Sequence, residues 1–160
     1  MSSGWLVVLT AATAVGAAVS GGVLFGFSTF VMRSLDRLPP KEGMAAMQSI
    51  NREAPNPLFM LALFGTALAG IVLAISALGR MDEKVAVYQL VGSLLYLVGV
   101  GVTLGYHIPH NNTLAALDPN RADAAGEWAR FSSGWTAWNH VRTAAMVAAA
   151  ATLTAALRVV

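Results

Sequence analysis

The charged residues of this chain fall into bands. No Asp, Glu, Lys or Arg occurs from Met1 to Met32, from Ala54 to Gly79 or from Val85 to Leu117, and Phe131 to Val160 holds only Arg142 and Arg158. The other charges sit in Arg33–Glu53, Arg80–Lys84 and Asp118–Arg130. Each uncharged stretch exceeds the ~20 residues that a helix needs to cross a bilayer. The pattern predicts four transmembrane helices near 5–30, 57–79, 85–106 and 133–157. A cleavable leader is a poor reading of the first stretch. It lacks a basic start, its apolar run is too long, and Phe25, Phe27 and Phe30 follow with no small-residue cleavage site.

The connections are unequal. Arg80–Lys84 is a short hydrophilic turn, whereas 33–56 and 107–132 are long and lie together on the opposite side of the membrane. Loops of that length are usually functional. Four spans put both termini on one side. The long connections carry Arg33, Arg37, Lys41, Arg52, Arg121 and Arg130, which by the positive-inside rule places them in the cytoplasm. Within the first connection, Pro39 and Pro40 suit a helix start. Met44, Met47, Gln48 and Asn51 then recur at helical spacing, so they share one face of a short amphipathic helix. Two thioethers and two amides on that face predict a polar pocket at the mouth of the helices. The alternative is that the amides, like Asn56, cap helix ends. Gly22 with Gly26, and Gly101 with Gly105, stand at the spacing that lets helices approach closely in lipid. They predict either packing within the fold or a homo-oligomer face.

Composition strengthens this picture. Of the 160 residues, 11% are charged and 56% hydrophobic, with a mean hydropathy of +0.63. An average soluble domain has about 25% charged residues, so the numbers exclude a soluble globular protein and, equally, a disordered one. The fold class expected is all-α: a single integral membrane domain over 1–160, a four-helix bundle with one amphipathic helix, in a plasma membrane. There is no cysteine, hence no disulfide or thiolate chemistry. A net charge of +2 with scattered basic residues offers no nucleic-acid surface.

Polar residues then stand out where lipid is expected. Pro109 should end helix three, because it removes a backbone donor and clashes with the preceding turn. His107, His110 and His140 are the three histidines of the chain. Together they match a three-histidine metal site, but interfacial hydrogen bonding and proton transfer fit them as well. Helix four carries Trp128, Phe131, Trp135, Trp138, Asn139, Arg142 and Met146 within about one third of its circumference. An intramembrane arginine is a functional hypothesis by default; snorkelling to the headgroups is the alternative. Asn51, Asn112 and Glu53 from the long connections are its expected partners.

These same stretches resemble the anthrone-oxygenase-like family of small four-helix membrane proteins. The resemblance runs through Gly26-Phe27-Ser28-Thr29-Phe30-Val31-Met32, Ala46–Asn51 with Asn56-Pro57, the run 107–118, and Trp135-Thr136-Ala137-Trp138-Asn139-His140-Val141-Arg142-Thr143. Arg33 stands where the family usually has proline, and His107-Ile108-Pro109-His110-Asn111-Asn112 replaces its usual Asn-x-Pro-x-Asn. The resemblance implies a cofactor-independent oxidation of a hydrophobic aromatic molecule. Its residues here would be His140 or His110 as base, Arg142 and Asn139 as oxyanion donors, and Trp135 and Trp138 as an aromatic slot. Gln48, Asn51 and Asn112 would shape the pocket. A metal held by His107, His110 and His140 is the alternative cofactor reading. A non-enzymatic membrane binder or assembly partner is the competing function.

Overall fold

The computed structural model describes residues 4–159, and they are helical almost throughout. Five helices account for the fold: α1 (Gly4–Leu35), α2 (Pro40–Glu53), α3 (Pro57–Leu78), α4 (Lys84–Ala115) and α5 (Ala124–Ala156). Three of them, α1, α3 and α4, are long and apolar enough to cross a membrane. α5 is the longest, at 33 residues, but Ala, Thr, Gly and Arg142 dilute its hydropathy. It packs between α1 and α4, while α3 closes the other side. The outward faces are strongly apolar: Val8, Phe30, Leu58, Leu61, Leu68, Ile75 and Leu94 are all exposed. In water such a surface would associate; in lipid it is the required exterior.

Local sequence sets the helix ends. Pro40 opens α2, following an extended Pro39, and Asn56 caps α3 by accepting a hydrogen bond from Phe59 N at 3.0 Å, with Pro57 in the first turn. At the short-turn end, Arg80 pairs with Glu83 at 3.3 Å and donates to Gln89 Oε1 at 2.9 Å, and buried Gln89 donates to Thr10 Oγ1 at 2.8 Å. At the other end α2 lies across the helices. Met44 and Met47 are fully buried in a cluster with Met32, Leu114, Trp128 and Trp135. Gln48 Nε2 donates to the carbonyls of Leu114 (2.8 Å) and Leu117 (2.9 Å), which ties α2 to the end of α4.

Three helices contain a π-helical turn: Phe27–Val31 in α1, Leu61–Gly65 in α3 and Thr103–His107 in α4. Such turns widen the helix and loosen its backbone hydrogen bonds. In an apolar medium those groups need other partners. Tyr96 Oη supplies one, donating to Leu63 O at 3.0 Å beside Ser20 Oγ at 3.0 Å. The turn in α4 also explains a departure from the expectation at Pro109. The helix does not stop there; it continues to Ala115, because the widened turn just before the proline relieves the clash with the carbonyl four residues back. Likewise α5 starts at Ala124, well before 133, because Trp128 and Ser132 are buried on the same inward face. Ser132 donates to Asp36 Oδ1 at 2.6 Å and so joins α5 to the end of α1.

Within the fold, the glycine pairs read as close-approach motifs do not mark tight helix crossings. A Cβ on Gly22, Gly101 or Gly105 would meet open space. Tight approaches lie at Gly16 against Thr66, Gly92 against Leu153 and Gly99 against Met146, and nearer the long connections at Gly43 against Leu35 O and Gly134 against Tyr106 Oη.

Candidate functional site

Arg142 lies on the inward face of α5 and is only 6% exposed. Its Nε donates to Asn139 Oδ1 at 2.8 Å and its Nη1 to Thr103 Oγ1 at 3.2 Å, and its guanidinium sits 5.1 Å from the Trp135 ring centroid. The expected partners Asn51, Asn112 and Glu53 do not bond to it. The reason is depth: one turn below Trp138, the nearest polar groups belong to α4 and α5 rather than to the connections. Among the described residues no carboxylate pairs with Arg142, and Nη2 has no protein partner, so part of the five-donor fork is unspent.

The groups around Arg142 are held rigidly. Asn139 is fully buried, and its Nδ2 donates to Leu24 O at 2.9 Å and Ser28 Oγ at 2.8 Å, so its oxygen must face the guanidinium. Ser28 Oγ in turn lies 3.2 Å from Thr143 Oγ1. Trp135 Nε1 donates to Asn111 Oδ1 at 2.9 Å, and its ring packs against Phe27 at 5.5 Å and edge-on against His107 at 4.9 Å. His107 is 1% exposed, with Nε2 3.2 Å from Trp135 O and Nδ1 3.4 Å from Val102 O. A neutral imidazole has one N–H, so it donates to one of these carbonyls while the other ring nitrogen faces the second.

Arg142, Thr103, Trp135, His107 and Phe27 border a cavity of about 1040 Å³ between α1, the end of α2, the first turns of α3 and the far half of α4. Its wall is mostly aliphatic and aromatic, with Phe27, Leu63, Phe59 and Trp135 among the contributors, and Arg142 and Thr103 lie in it. All three π-helical turns contribute lining residues, and π turns occur often at functional sites. Such a size and lining suit a small lipophilic molecule held by a few polar groups.

Several residues singled out by sequence meet here. Gln48, Asn51, Asn112, Trp135 and Arg142 all line the cavity, and Asn139 stands behind Arg142. Asn51 Nδ2 is buried without a protein partner. Others do not meet. His140 is exposed on the outer side of α5, because one residue beyond inward-facing Asn139 rotates the side chain by about 100°. Trp138 is 45% exposed at the edge of the aromatic face. It joins Tyr106 (5.4 Å) and His110, which stacks on Tyr106 at 3.8 Å, in an aromatic group outside the cavity. The base readings for His140 and His110 and the slot reading for Trp138 therefore have no support in the geometry. Among the described residues no three His, Asp or Glu side chains lie close enough to share a metal ion. His107, His110 and His140 are not brought together, because His107 points inward while the other two are outside. Thr103, Phe27 and Ser28 carry no individual signal in the sequence as site residues. Ser28 stands in a motif run, but a lone hydroxyl in an apolar helix gives no sign of which helix it faces.

A sequence model for the family described as Anthrone oxygenase matches residues 48–152. The matched segment holds Gln48, Asn51, Thr103, His107, Trp135, Asn139 and Arg142, and α1 lies before it. No curated protein and no solved structure matches the chain significantly. The family match covers more than half of the chain and includes the residues that hold Arg142 at the cavity, and the chain belongs to the anthrone oxygenase family.

Proposed function

We propose that the protein is a membrane-embedded oxygenase for a planar, hydrophobic aromatic molecule with an acidic methylene, which Arg142 holds as its oxyanion. A buried arginine without an acidic partner, with donors unspent and lying in the wall of an apolar cavity, carries this reading. A charge so placed is costly to insert, and a developing oxyanion repays that cost. Preorganised donors aimed at developing charge usually contribute more to catalysis than any other single effect. For an anthrone, loss of a methylene proton gives an aromatic, electron-rich enolate. Transfer of an electron to dioxygen and recombination form a carbon–oxygen bond. Loss of water then leaves the quinone, so that one dioxygen converts the methylene to a carbonyl and yields one water. Asn139 and Thr103 fix the guanidinium, and Trp135 and Phe27 offer flat surfaces. Among the described residues Glu53 is the one acidic residue bordering the cavity, and we assign it as the proton acceptor. His107 is a poorer acceptor, because both ring nitrogens face backbone carbonyls.

The same reading makes α5 a fourth membrane span. At ~1.5 Å per residue its 33 residues reach about 50 Å, and Arg142 is its only charge beyond Arg130. Its packing along α1 and α4 supports a transmembrane four-helix bundle. The test is oxygen-dependent conversion of anthrone to anthraquinone by purified protein in lipid discs. Wild type should turn over, and Arg142→Gln should lose about a hundredfold or more of the rate. Tight binding of anthrone without turnover would instead indicate a carrier or binding protein. Unchanged turnover in Arg142→Gln would move the site elsewhere.

A further inference from the structure

A second apolar recess, of about 790 Å³, runs along the outer seam between α1 and α3. It extends from Val8 to Val19 on α1, roughly 16 Å at 1.5 Å per residue, and from Leu58 to Ala69 on α3. Apart from Thr13 and Thr66 its lining is apolar, and Thr13 Oγ1 is already committed to Leu9 O at 2.7 Å. Val19, Leu58 and Ala62 border both this groove and the Arg142 cavity. Val19 and Leu58 are themselves exposed. The two helices approach closely at Gly16, where an added Cβ would run into Thr66 Oγ1. Nearer the connections, the first turns of α3 carry the π-helical turn and the wall that the two spaces share.

We propose that the Arg142 cavity opens sideways to the bilayer past Val19 and Leu58, so that a lipophilic aromatic ligand binds with its acidic head at Arg142 and a hydrocarbon tail, where it has one, in the α1–α3 groove. This rests on the reading of Arg142 as an oxyanion site. That residue is also what separates the groove from an ordinary lipid-facing seam: a buried cation with unspent donors marks the neighbouring space as a place for a polar head. The energetics follow from the solvent. A tail moving from lipid into an apolar groove gains little, because lipid is as apolar as the groove wall. The groove therefore does not tighten binding. It removes the cost of dragging the tail into the cavity, and it makes affinity indifferent to tail length.

The probes are para-alkyl ortho-nitrophenols, whose phenolates absorb visible light, with ethyl, octyl and dodecyl chains. Binding is measured to the full chain in phosphatidylcholine discs and referenced to partitioning into empty discs. In wild type, affinity should stay within about twofold from ethyl to dodecyl, since the tail only changes one apolar surrounding for another. Val15→Trp, at an exposed position that lines the groove and not the Arg142 cavity, should leave the ethyl probe unaffected and weaken the dodecyl probe by about tenfold, the size of an ordinary overpacking penalty. Leu61→Trp, likewise exposed and lining the groove alone, should do the same. If the ethyl probe fails to bind wild type, the oxyanion reading falls and the tail with it. If the ethyl probe binds but wild-type affinity drops steadily with chain length, the cavity is closed and the tail proposal alone is wrong. Length-independent binding in both tryptophan variants would also overturn it, because the tail would then leave by another route.

Discussion

Replacing Asn139 with aspartate changes one atom group and leaves the shape of the side chain intact, yet it should disable the site. In the native protein Asn139 Oδ1 accepts from Arg142 Nε at 2.8 Å as a neutral partner, so the guanidinium keeps its full charge for whatever enters the cavity. An aspartate there becomes a permanent counter-ion. At ~4 Å and an effective dielectric of ~20, two unit charges interact by about 4 kcal/mol. Most of the attraction available to a ligand oxyanion is thereby spent inside the protein. Removing a single oxyanion donor elsewhere costs about a hundred- to a thousandfold in rate, and Asn139→Asp should fall in that range. Stability should change little. The variant loses the donors to Leu24 O and Ser28 Oγ, a cost of about 1–3 kcal/mol for an orphaned buried acceptor. It gains a charge-assisted bond to Arg142 that offsets much of this. The assay pairs anthrone-dependent oxygen consumption in lipid discs with thermal unfolding of the same preparations. A variant that folds normally and turns over like wild type would show that the free charge of Arg142 is not what the site uses.

Three further outcomes are expected. Glu53→Gln should lower anthrone turnover by about a hundredfold, the usual contribution of a general base, while leaving nitrophenolate binding intact; an unchanged rate would pass the proton to water or another group. Gly16→Ala should destabilise the protein by about 1–3 kcal/mol as an overpacking change, read as a lowered melting temperature. Combination with Thr66→Ala should recover most of that loss, because the added methyl meets Thr66 Oγ1; purely additive effects would contradict the close contact. Single cysteines at Gly4 and Arg158 should be labelled from one side of the membrane and cysteines at Glu42 and Asp118 from the other. Labelling of Gly4 and Arg158 from opposite sides would deny α5 a full crossing.

Sequence alone carries the helices further than the site. The uncharged bands place α1, α3 and α4 because insertion into lipid depends on composition summed over a whole stretch. The helical spacing of Met44, Met47 and Gln48 foretells the buried face of α2 for a similar reason: the period is local. What escapes is anything set between helices. Arg142 can be identified as buried, but its partners Thr103 and Asn139, and through Asn139 the α1 groups Leu24 and Ser28, depend on how α1, α4 and α5 are rotated against each other. Nothing in a single chain states those rotations. Trp138 illustrates the limit. Its angular position lies at the edge of the aromatic face, and a few tens of degrees decide between cavity and lipid. Pro109 misleads for another reason, since a π-helical turn just upstream absorbs the clash that would otherwise end the helix.

Those π-helical turns have a consequence for how the protein can change. A π turn adds about one residue to a helix, and one residue is worth about 100° of rotation. α3 and α4 each carry such a turn where the tightly crossed half gives way to the half that borders the cavity, and the turn in α1 begins at Phe27, the last of its residues to line the cavity. The two halves of the molecule are therefore indexed separately. Deleting one residue from a π turn closes it to an ordinary α turn and leaves both halves in register, whereas the same deletion in a plain α-helix swings everything beyond it by about 100°. Single-residue insertions and deletions at these turns therefore reshape the cavity wall locally while the packing on either side holds, a different way to vary what the cavity accepts than substituting its lining one side chain at a time.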